Sequence, residues 1–462
     1  MFIGREKELQ KLNKMNNKKG FQFLVMYGRR RVGKTTLLKE FLKDKSGIFF
    51  VAEEFNDTIA LNKFSELILS HFKMSNLIDK FLSWEKAFNF IGEKSKDERI
   101  ILIIDEFPYI ANSNLSILSL LQNLIDQKLK NTNLFLILCG SSISFMEKEV
   151  LSEKSPLFGR RTGQMKINSF GFYDSIKFSK KYTKIDSVIN YGILGGVPQY
   201  LNKFDYDLNI EGNIKENFLD SSSYLIEEPK NLLRQELREP AIYNSIIESV
   251  ANGYTKISEI ATKIQERPDK TSKYLNTLIE LEIIEKEIPI TEKINSRKSI
   301  YKLKDNMFKF YYRFIFTNFS LIEQGIIDFV YDKKIKPYLN QYTGFVFEDV
   351  CQQYLLRENY NIKLPFIFEK IGRWWGNNSI KKRQEEIDIL AFNDKKAIFG
   401  ECKWQDKKIG IEVYEQLLEK SNLLNFTEKY FYLFSKTGFT EEIIKVSKNN
   451  SKIKLITINE IL

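Results

Sequence analysis

Histidine is almost missing from this chain. Of 462 residues one is a histidine, His71, and three are cysteines, Cys139, Cys351 and Cys402. A single imidazole leaves little room for histidine-based catalytic triads or His/Cys zinc sites, and His71 reads as an ordinary helix residue. No two cysteines stand at metal-ligand spacing, and three scattered thiols build no disulfide framework. The start, Met1-Phe-Ile-Gly-Arg-Glu-Lys, lacks the apolar core of a signal peptide. No apolar run reaches the length that crosses a bilayer. These absences predict a protein of the reducing cytoplasm with no membrane partner.

What is present is the composition of a soluble globular protein, 43% hydrophobic and 28% charged. The length predicts two to four domains. Lys and Arg outnumber Asp and Glu 71 to 60, a formal charge of +11. That balance favours polyanionic partners without requiring them. The heavy use of Lys, Asn and Ile has the look of a genome bias, which weakens any argument from charge.

One stretch organises the rest: Gly28-Arg-Arg-Arg-Val-Gly-Lys-Thr-Thr36. It fits G-x-x-x-x-G-K-[ST], with an apolar strand, Phe23–Tyr27, before it and a helical pattern after it. Gly28 and Gly33 let the backbone bend so that the amides of Arg29, Arg30, Arg31, Val32, Lys34, Thr35 and Thr36 can face one anion. The helix that follows aims its positive end at the same place. Lys34 would reach the β- and γ-phosphates of ATP, and Thr35 would offer a hydroxyl to Mg²⁺.

Ile100-Ile-Leu-Ile-Ile-Asp-Glu-Phe107 is the second strong signal. Its apolar run predicts a strand buried on both faces, as in a parallel sheet. Asp105 and Glu106 fall at the C-terminal end, where open parallel sheets bind ligands. Asp105 is placed to hold Mg²⁺, and Glu106 to orient or deprotonate the attacking water. Leu134–Ser142 is a further buried strand that ends in small polar residues, Ser141 among them. Ser155-Pro-Leu-Phe-Gly-Arg-Arg-Thr-Gly163 sets a basic pair on a turn. Arg160, favoured over Arg161, can supply an arginine finger; a solvated turn or a nucleic-acid contact are the other readings.

In chain order, FIGREKEL, YGRRRVGKTTL, IILIIDEF, LCGSS, SPLFGRRTG and GGVPQYL resemble the archaeal-type P-loop ATPase family of the STAND class. The resemblance covers roughly the first 200 residues. It implies an α/β fold of the ASCE type, ATP as the nucleotide, and an ATP/ADP switch coupled to later domains. It further implies that the opening segment lies against adenine, that Ser141 senses the γ-phosphate, and that Pro198 of the G-x-P element touches the adenine.

The pattern then changes. Residues 1–205 are expected to form the ATPase domain and 206–240 a helical connector. Residues 241–305 carry three short apolar-periodic helices and two strands around a polar loop, the pattern of a winged helix-turn-helix. Its third helix opens with Asp269-Lys-Thr-Ser-Lys-Tyr274, polar residues suited to a major groove; the alternative is a lever packed on the ATPase that touches no DNA. Residues 306–340 are expected as a helical linker whose aromatics belong to a core.

Residues 341–462 carry a second constellation. Glu386–Phe392 and Ala397–Trp404 alternate as paired strands. A two-residue loop at Asp394-Lys395 sets Asp388 directly opposite Glu401; a loop at Asn393-Asp394 shifts the pairing by two and keeps both on one face. Lys403 shares that face, and Glu348 can approach from the preceding helix. Carboxylates so close repel unless a divalent ion such as Mg²⁺ sits between them. Asp388, Glu401 and Lys403 resemble the PD-(D/E)xK nuclease superfamily, with Gln416 at its later helical polar position and the usual proline absent. That resemblance implies an α/β restriction-endonuclease-like fold. Asp388, Glu401 and Glu348 would then be metal ligands, and Lys403 with Glu401 the catalytic pair.

The expectation is an ATP-hydrolysing switch controlling a DNA-associated nuclease-fold effector, with a protein partner or homo-oligomer open. The alternative is an ATP-regulated DNA- or protein-binding regulator whose C-terminal domain is catalytically silent. A chaperone-like or transport-coupling ATPase is a third reading.

Overall fold

The computed structural model describes residues 2–293, 296, 298–379 and 381–462. Met1, Ile380 and three residues of the expected wing loop, Ile294, Asn295 and Arg297, lie outside the described residues. The chain divides into two compact units, one ending at Phe170 and one running Gly171–Leu462.

The first unit is built on five parallel strands: β1 (Gln22–Tyr27), β2 (Gly47–Val51), β3 (Ile100–Asp105), β4 (Leu134–Gly140) and β5 (Gly163–Lys166). Their order is β2-β3-β4-β1-β5. Strand β4 thus lies between the strand that feeds the phosphate loop and the strand that ends in Asp105, which is the ASCE order. The apolar runs are continuous because both faces are covered. Phe23, Val25, Leu102, Ile104, Leu136 and Leu138 belong to one core layer, and Leu24, Met26, Ile101, Ile103, Phe135 and Ile137 to the other. Alternation along each strand delivers its residues to opposite layers.

The second unit opens with helices. Lys184–Leu194 buries Val188, Ile193 and Leu194. It is joined to Asn306–Phe310 and to the long helix Lys336–Tyr360 by polar contacts. The Tyr342 hydroxyl donates to the carbonyls of Gly192 (2.6 Å) and Asn306 (3.1 Å), and the Asn306 amide donates to Tyr191 O (2.9 Å). Residues 171–205, grouped by sequence with the ATPase, therefore pack in the second unit. Phe308, Phe310, Tyr312 and Phe314 of the expected linker are buried.

Helices Pro240–Ala251, Ile257–Lys263 and Pro268–Glu280 are followed by an antiparallel hairpin, β6 (Ile284–Glu287) and β7 (Ile300–Leu303). This is the helix-helix-helix-hairpin succession of a winged helix. Thr271 and Tyr274 face its core, leaving Asp269, Lys270 and Lys273 exposed at the start of the third helix. The hairpin meets the C-terminal sheet: Ile290 packs on its core, and the Ile290 amide donates to Arg373 O (2.9 Å).

That sheet has the order β12-β11-β10-β9-β8. Strand β9 (Arg383–Phe392) runs antiparallel to both β8 (Lys370–Asn378) and β10 (Lys396–Lys403); β11 (Glu428–Ser435) and β12 (Ile453–Thr457) continue parallel to β10. The β9–β10 pairing runs from Ala397 with Phe392 to Gly400 with Ile389. That is the register of the Asp394-Lys395 loop, and its next step brings Asp388 opposite Glu401.

Candidate functional site

The phosphate loop leaves β1 at Gly28, whose φ is 157°. A Cβ added there would stand 2.2 Å from the carbonyl oxygen of Ile167, so only glycine fits. Gly33 closes the loop at φ 88° and Arg31 also takes a left-handed conformation, at 73°. These turns feed the helix Lys34–Leu42. Gly28→Ala is expected to destabilise the first unit by at least about 3 kcal/mol, from overpacking against fixed backbone plus a strained φ. Thermal unfolding of the two proteins checks this.

Lys34 is buried, and its ammonium donates to the carbonyls of Gly28 (2.9 Å) and Arg29 (3.0 Å). It is thus held against the loop that a triphosphate would occupy. The Thr35 hydroxyl donates to Asp105 Oδ2 at 2.6 Å, and Asp105 is 1% exposed. The other Asp105 oxygen accepts from the Glu106 amide (3.0 Å), and Glu106 itself takes φ 52°. This turn at the end of β3 swings the Glu106 side chain toward β4. There Oε2 accepts both the Ser141 amide (3.2 Å) and the Ser141 hydroxyl (2.7 Å). Lys34, Thr35, Asp105, Glu106 and Ser141 therefore meet at one end of the sheet. Next to them burial pushes the Cys139 thiol well above its ordinary range, and Asp105 adds to the rise.

Arg160 donates from Nε and Nη2 to the Asp126 carboxylate (2.7–3.0 Å) and from Nη1 to the carbonyls of Pro156 and Phe158. It is clamped to the helix Ile117–Gln127 rather than turned to the loop. Arg161 donates to Leu151 O (3.2 Å), and Arg30 to the Tyr109 hydroxyl (3.4 Å). Arg29 is buried and Val32 fully so. Pro198 begins the short helix Pro198–Leu201 in the second unit, after Gly195 at φ 64°.

Sequence reasoning missed Arg5. It is buried, with φ 67°, and its guanidinium donates to Val32 O in the loop (3.0 Å) and to Asn168 O. The Phe170 ring covers it at 4.3 Å. The opening segment thus braces the phosphate loop from behind. A lone arginine in a charged helix start carries no signal of that.

In the second unit Asp388 Oδ2 accepts the Cys402 amide (2.8 Å). Glu401 accepts from Lys403 at one oxygen (2.7 Å) and from Lys420 at the other (3.2 Å). Lys420 lies one turn beyond the exposed Gln416 on the helix Ile411–Ser421. Burial, and then the Glu401 charge, push the Asp388 carboxyl up to about 6, against the Cys402 amide and the two lysines. Burial, and then Asp388, push Glu348 up to about 8. For Lys403 burial is the largest single influence and opposes the ammonium, but the Glu401 carboxylate, joined by Asp388, outweighs it and raises the pKa. Glu348 Oε2 is 3.6 Å from Arg373 Nε. Among the described residues no three His, Cys, Asp or Glu side chains are gathered so that they could hold a metal ion. Of the three carboxylates expected as ligands, Glu348 and Glu401 face the chain's own cations and Asp388 accepts a backbone amide.

No helix among the described residues is long and apolar enough to cross a membrane, and all three cysteines are free and buried. Residues 2–204 match a family described as an ATPase domain predominantly from Archaea. Residues 311–418 match one described as archaeal and bacterial proteins of unknown function. An uncharacterised protein of Methanocaldococcus jannaschii is 40% identical over 453 residues, 94% of this chain and 96% of that protein. A Walker-type ATPase of Pyrococcus abyssi is similar in structure, with a TM-score of 0.51 at 22% identity, over 68% of this chain and 96% of that one. The ORC2 protein of Aeropyrum pernix, solved in ADPNP–ADP complexes, gives a TM-score of 0.43 at 14% identity, over 70% and 94% of the two chains.

Proposed function

Because this chain belongs to the predominantly archaeal P-loop ATPase family, here joined to a C-terminal domain of unknown function, we propose that it is an ATP-hydrolysing switch whose nucleotide state governs a DNA-associated effector of nuclease fold. The observation that carries the reading is the Glu106 carboxylate on Ser141, beside the Thr35–Asp105 pair. One end of one sheet gathers an ammonium, a hydroxyl and two carboxylates, the groups that a triphosphate, Mg²⁺ and an attacking water would call for.

ATP would sit with its triphosphate on the amides of the loop, drawing Lys34 from the Gly28 and Arg29 carbonyls to the β- and γ-phosphates. Thr35 and Asp105 would hold Mg²⁺, whose chemistry is to neutralise charge that develops on those phosphates. Glu106 would leave Ser141 to take the proton of the attacking water. Since Ser141 donates both its N–H and its O–H to Glu106, the carboxylate is parked until a γ-phosphate competes for the same hydroxyl. Arg160 would act as a finger only after leaving Asp126.

For the C-terminal domain we propose Mg²⁺-dependent DNA cleavage at Asp388, Glu401 and Lys403, with Glu348 as a further ligand. Asp388→Asn and Lys403→Ala are each expected to lower nicking of supercoiled plasmid at least ~10²-fold, the order set by one electrostatic catalytic group. Cleavage by both at the unmodified rate would end the nuclease part. A specific observation favours the second reading, a silent binding module. Both Glu401 oxygens are taken by lysines. That reading predicts salt-sensitive DNA binding with no cleavage by any variant.

A further inference from the structure

A cavity of about 710 Å³ in the second unit has no part in the sites described above. Its size is that of a small-ligand site. Three segments wall it: the connector helix Tyr224–Glu236, the start of the helix Pro240–Ala251, and the aromatic stretch that follows Asn306–Phe310.

One side of the cavity is cationic. Lys230 and Arg234 stand four residues apart on one face of the connector helix, and both are exposed. Neither makes an ion pair or a side-chain hydrogen bond among the described residues. Glu227 is the carboxylate in the wall, so the lining keeps a net positive charge. The helix Pro240–Ala251 begins in the same wall without a side-chain cap, and its first amides add to that charge. Glu239, just before it, accepts the Tyr274 hydroxyl (3.2 Å).

Another side is aromatic. Tyr311 and Tyr312 belong to a π-helical stretch, Tyr311–Ile315, a widened turn that recurs at functional sites. Tyr312 is buried, and its ring lies 5.1 Å from that of Phe316. Phe316 and Phe319 are half-buried, and Phe319 has no ring partner among the described residues. The Tyr312 hydroxyl donates to Asn244 Oδ1 (2.6 Å), which leaves the two Nδ2 hydrogens of Asn244 unused.

We propose that this cavity is a second nucleotide site, independent of the phosphate loop, and that it takes a nucleoside monophosphate whose base carries an exocyclic amine. The phosphate would lie against Lys230, Arg234 and the helix start, where its contacts are charge-assisted. The base would stack on Phe316 and Phe319. Asn244 Nδ2 would donate to a ring nitrogen or carbonyl of the base edge, and Glu227 would accept from the amine. A nucleic-acid strand fits this wall less well. It calls for cations that track a backbone over several nucleotides, and the wall supplies two, one helical turn apart. An occupied site would tie the connector helix to the first helix of the winged fold.

The test is equilibrium dialysis of labelled AMP against the full chain. One AMP per chain is expected, bound alike by the unmodified protein and by Lys34→Ala. Arg234→Glu is expected to weaken it at least ~10-fold, through the loss of one charge-assisted contact. Phe319→Ala is expected to weaken it about 10-fold, through the loss of one stacking face. Arg234 is exposed, so its exchange carries the test if Phe319→Ala does not fold. Binding that Lys34→Ala removes and Arg234→Glu leaves would assign the nucleotide to the phosphate loop and overturn the proposal. Ribose 5-phosphate competing as well as AMP would overturn it too, since the base would then go unrecognised. So would a single-stranded oligonucleotide bound through Arg234 where no monophosphate binds. No AMP bound by any of the proteins at millimolar concentration would end it without touching the ATPase reading.

Discussion

Glu106→Gln is expected to bind ATP with unchanged affinity and to hydrolyse it ~10² to 10⁴ times more slowly, the range of a lost general base. The substitution keeps the shape and the ability to accept from Ser141, and removes only the proton-accepting charge. The Ser141 amide and hydroxyl both point at this one carboxylate oxygen. A glutamine oxygen can take the same two bonds, so the fold of the turn is preserved. Steady-state turnover with a nucleotide-binding titration on the same preparation separates the two effects. Equal turnover in both proteins would assign the water to another group. Loss of binding would mean that Glu106 shapes the loop rather than the chemistry.

Lys34→Ala is expected to weaken ATP binding about 10²-fold or more. One charge-assisted contact to phosphate contributes ~1.5–3 kcal/mol, and each ~1.4 kcal/mol is tenfold in affinity. A second loss adds to the first. In the folded protein Lys34 satisfies the carbonyls of Gly28 and Arg29, and alanine leaves both without that donor. The free loop is then destabilised as well, so the thermal midpoint without nucleotide should fall by a few degrees. A large drop in affinity with an unmoved midpoint would show that the two carbonyls find water instead.

Much of the first unit was legible because its strands are buried on both faces. Nothing but a covered parallel strand explains Ile100–Ile104 followed at once by two acids, and the phosphate loop carries its own spacing. The position of β4 between β1 and β3 followed from the resemblance rather than from residue pattern. The division of the chain after Phe170 was not legible. The helix Lys184–Leu194 follows the ATPase motifs in sequence, but its apolar face finds cover in the second unit. Motif order records which segments travel together, whereas packing follows the nearest apolar face.

In the C-terminal unit the alternation of β9 and β10 and the polar turn between them were enough to give the Asp394-Lys395 register, which runs from Phe392 with Ala397 to Ile389 with Gly400. The cations were not foreseeable. Arg373 sits in Lys370–Asn378, a strand with neither clean alternation nor a flanking motif, and it meets Glu348 and Glu287 only through tertiary packing. Lys420 looked like one of many helix-surface lysines, and the sequence pointed to Gln416 one turn earlier. Pairings between elements far apart in the chain leave no local period to read. The Arg160–Asp126 clamp was hidden for the same reason.

The central claim is that main-chain amides and one ammonium group after β1 grip a triphosphate. Titration of the purified full chain with ATP and Mg²⁺ in a calorimeter tests it most directly. The account predicts saturable heat at one nucleotide per chain, absent from Lys34→Ala over the same concentrations. Heat of equal size from both proteins, or none from the unmodified one, would contradict it.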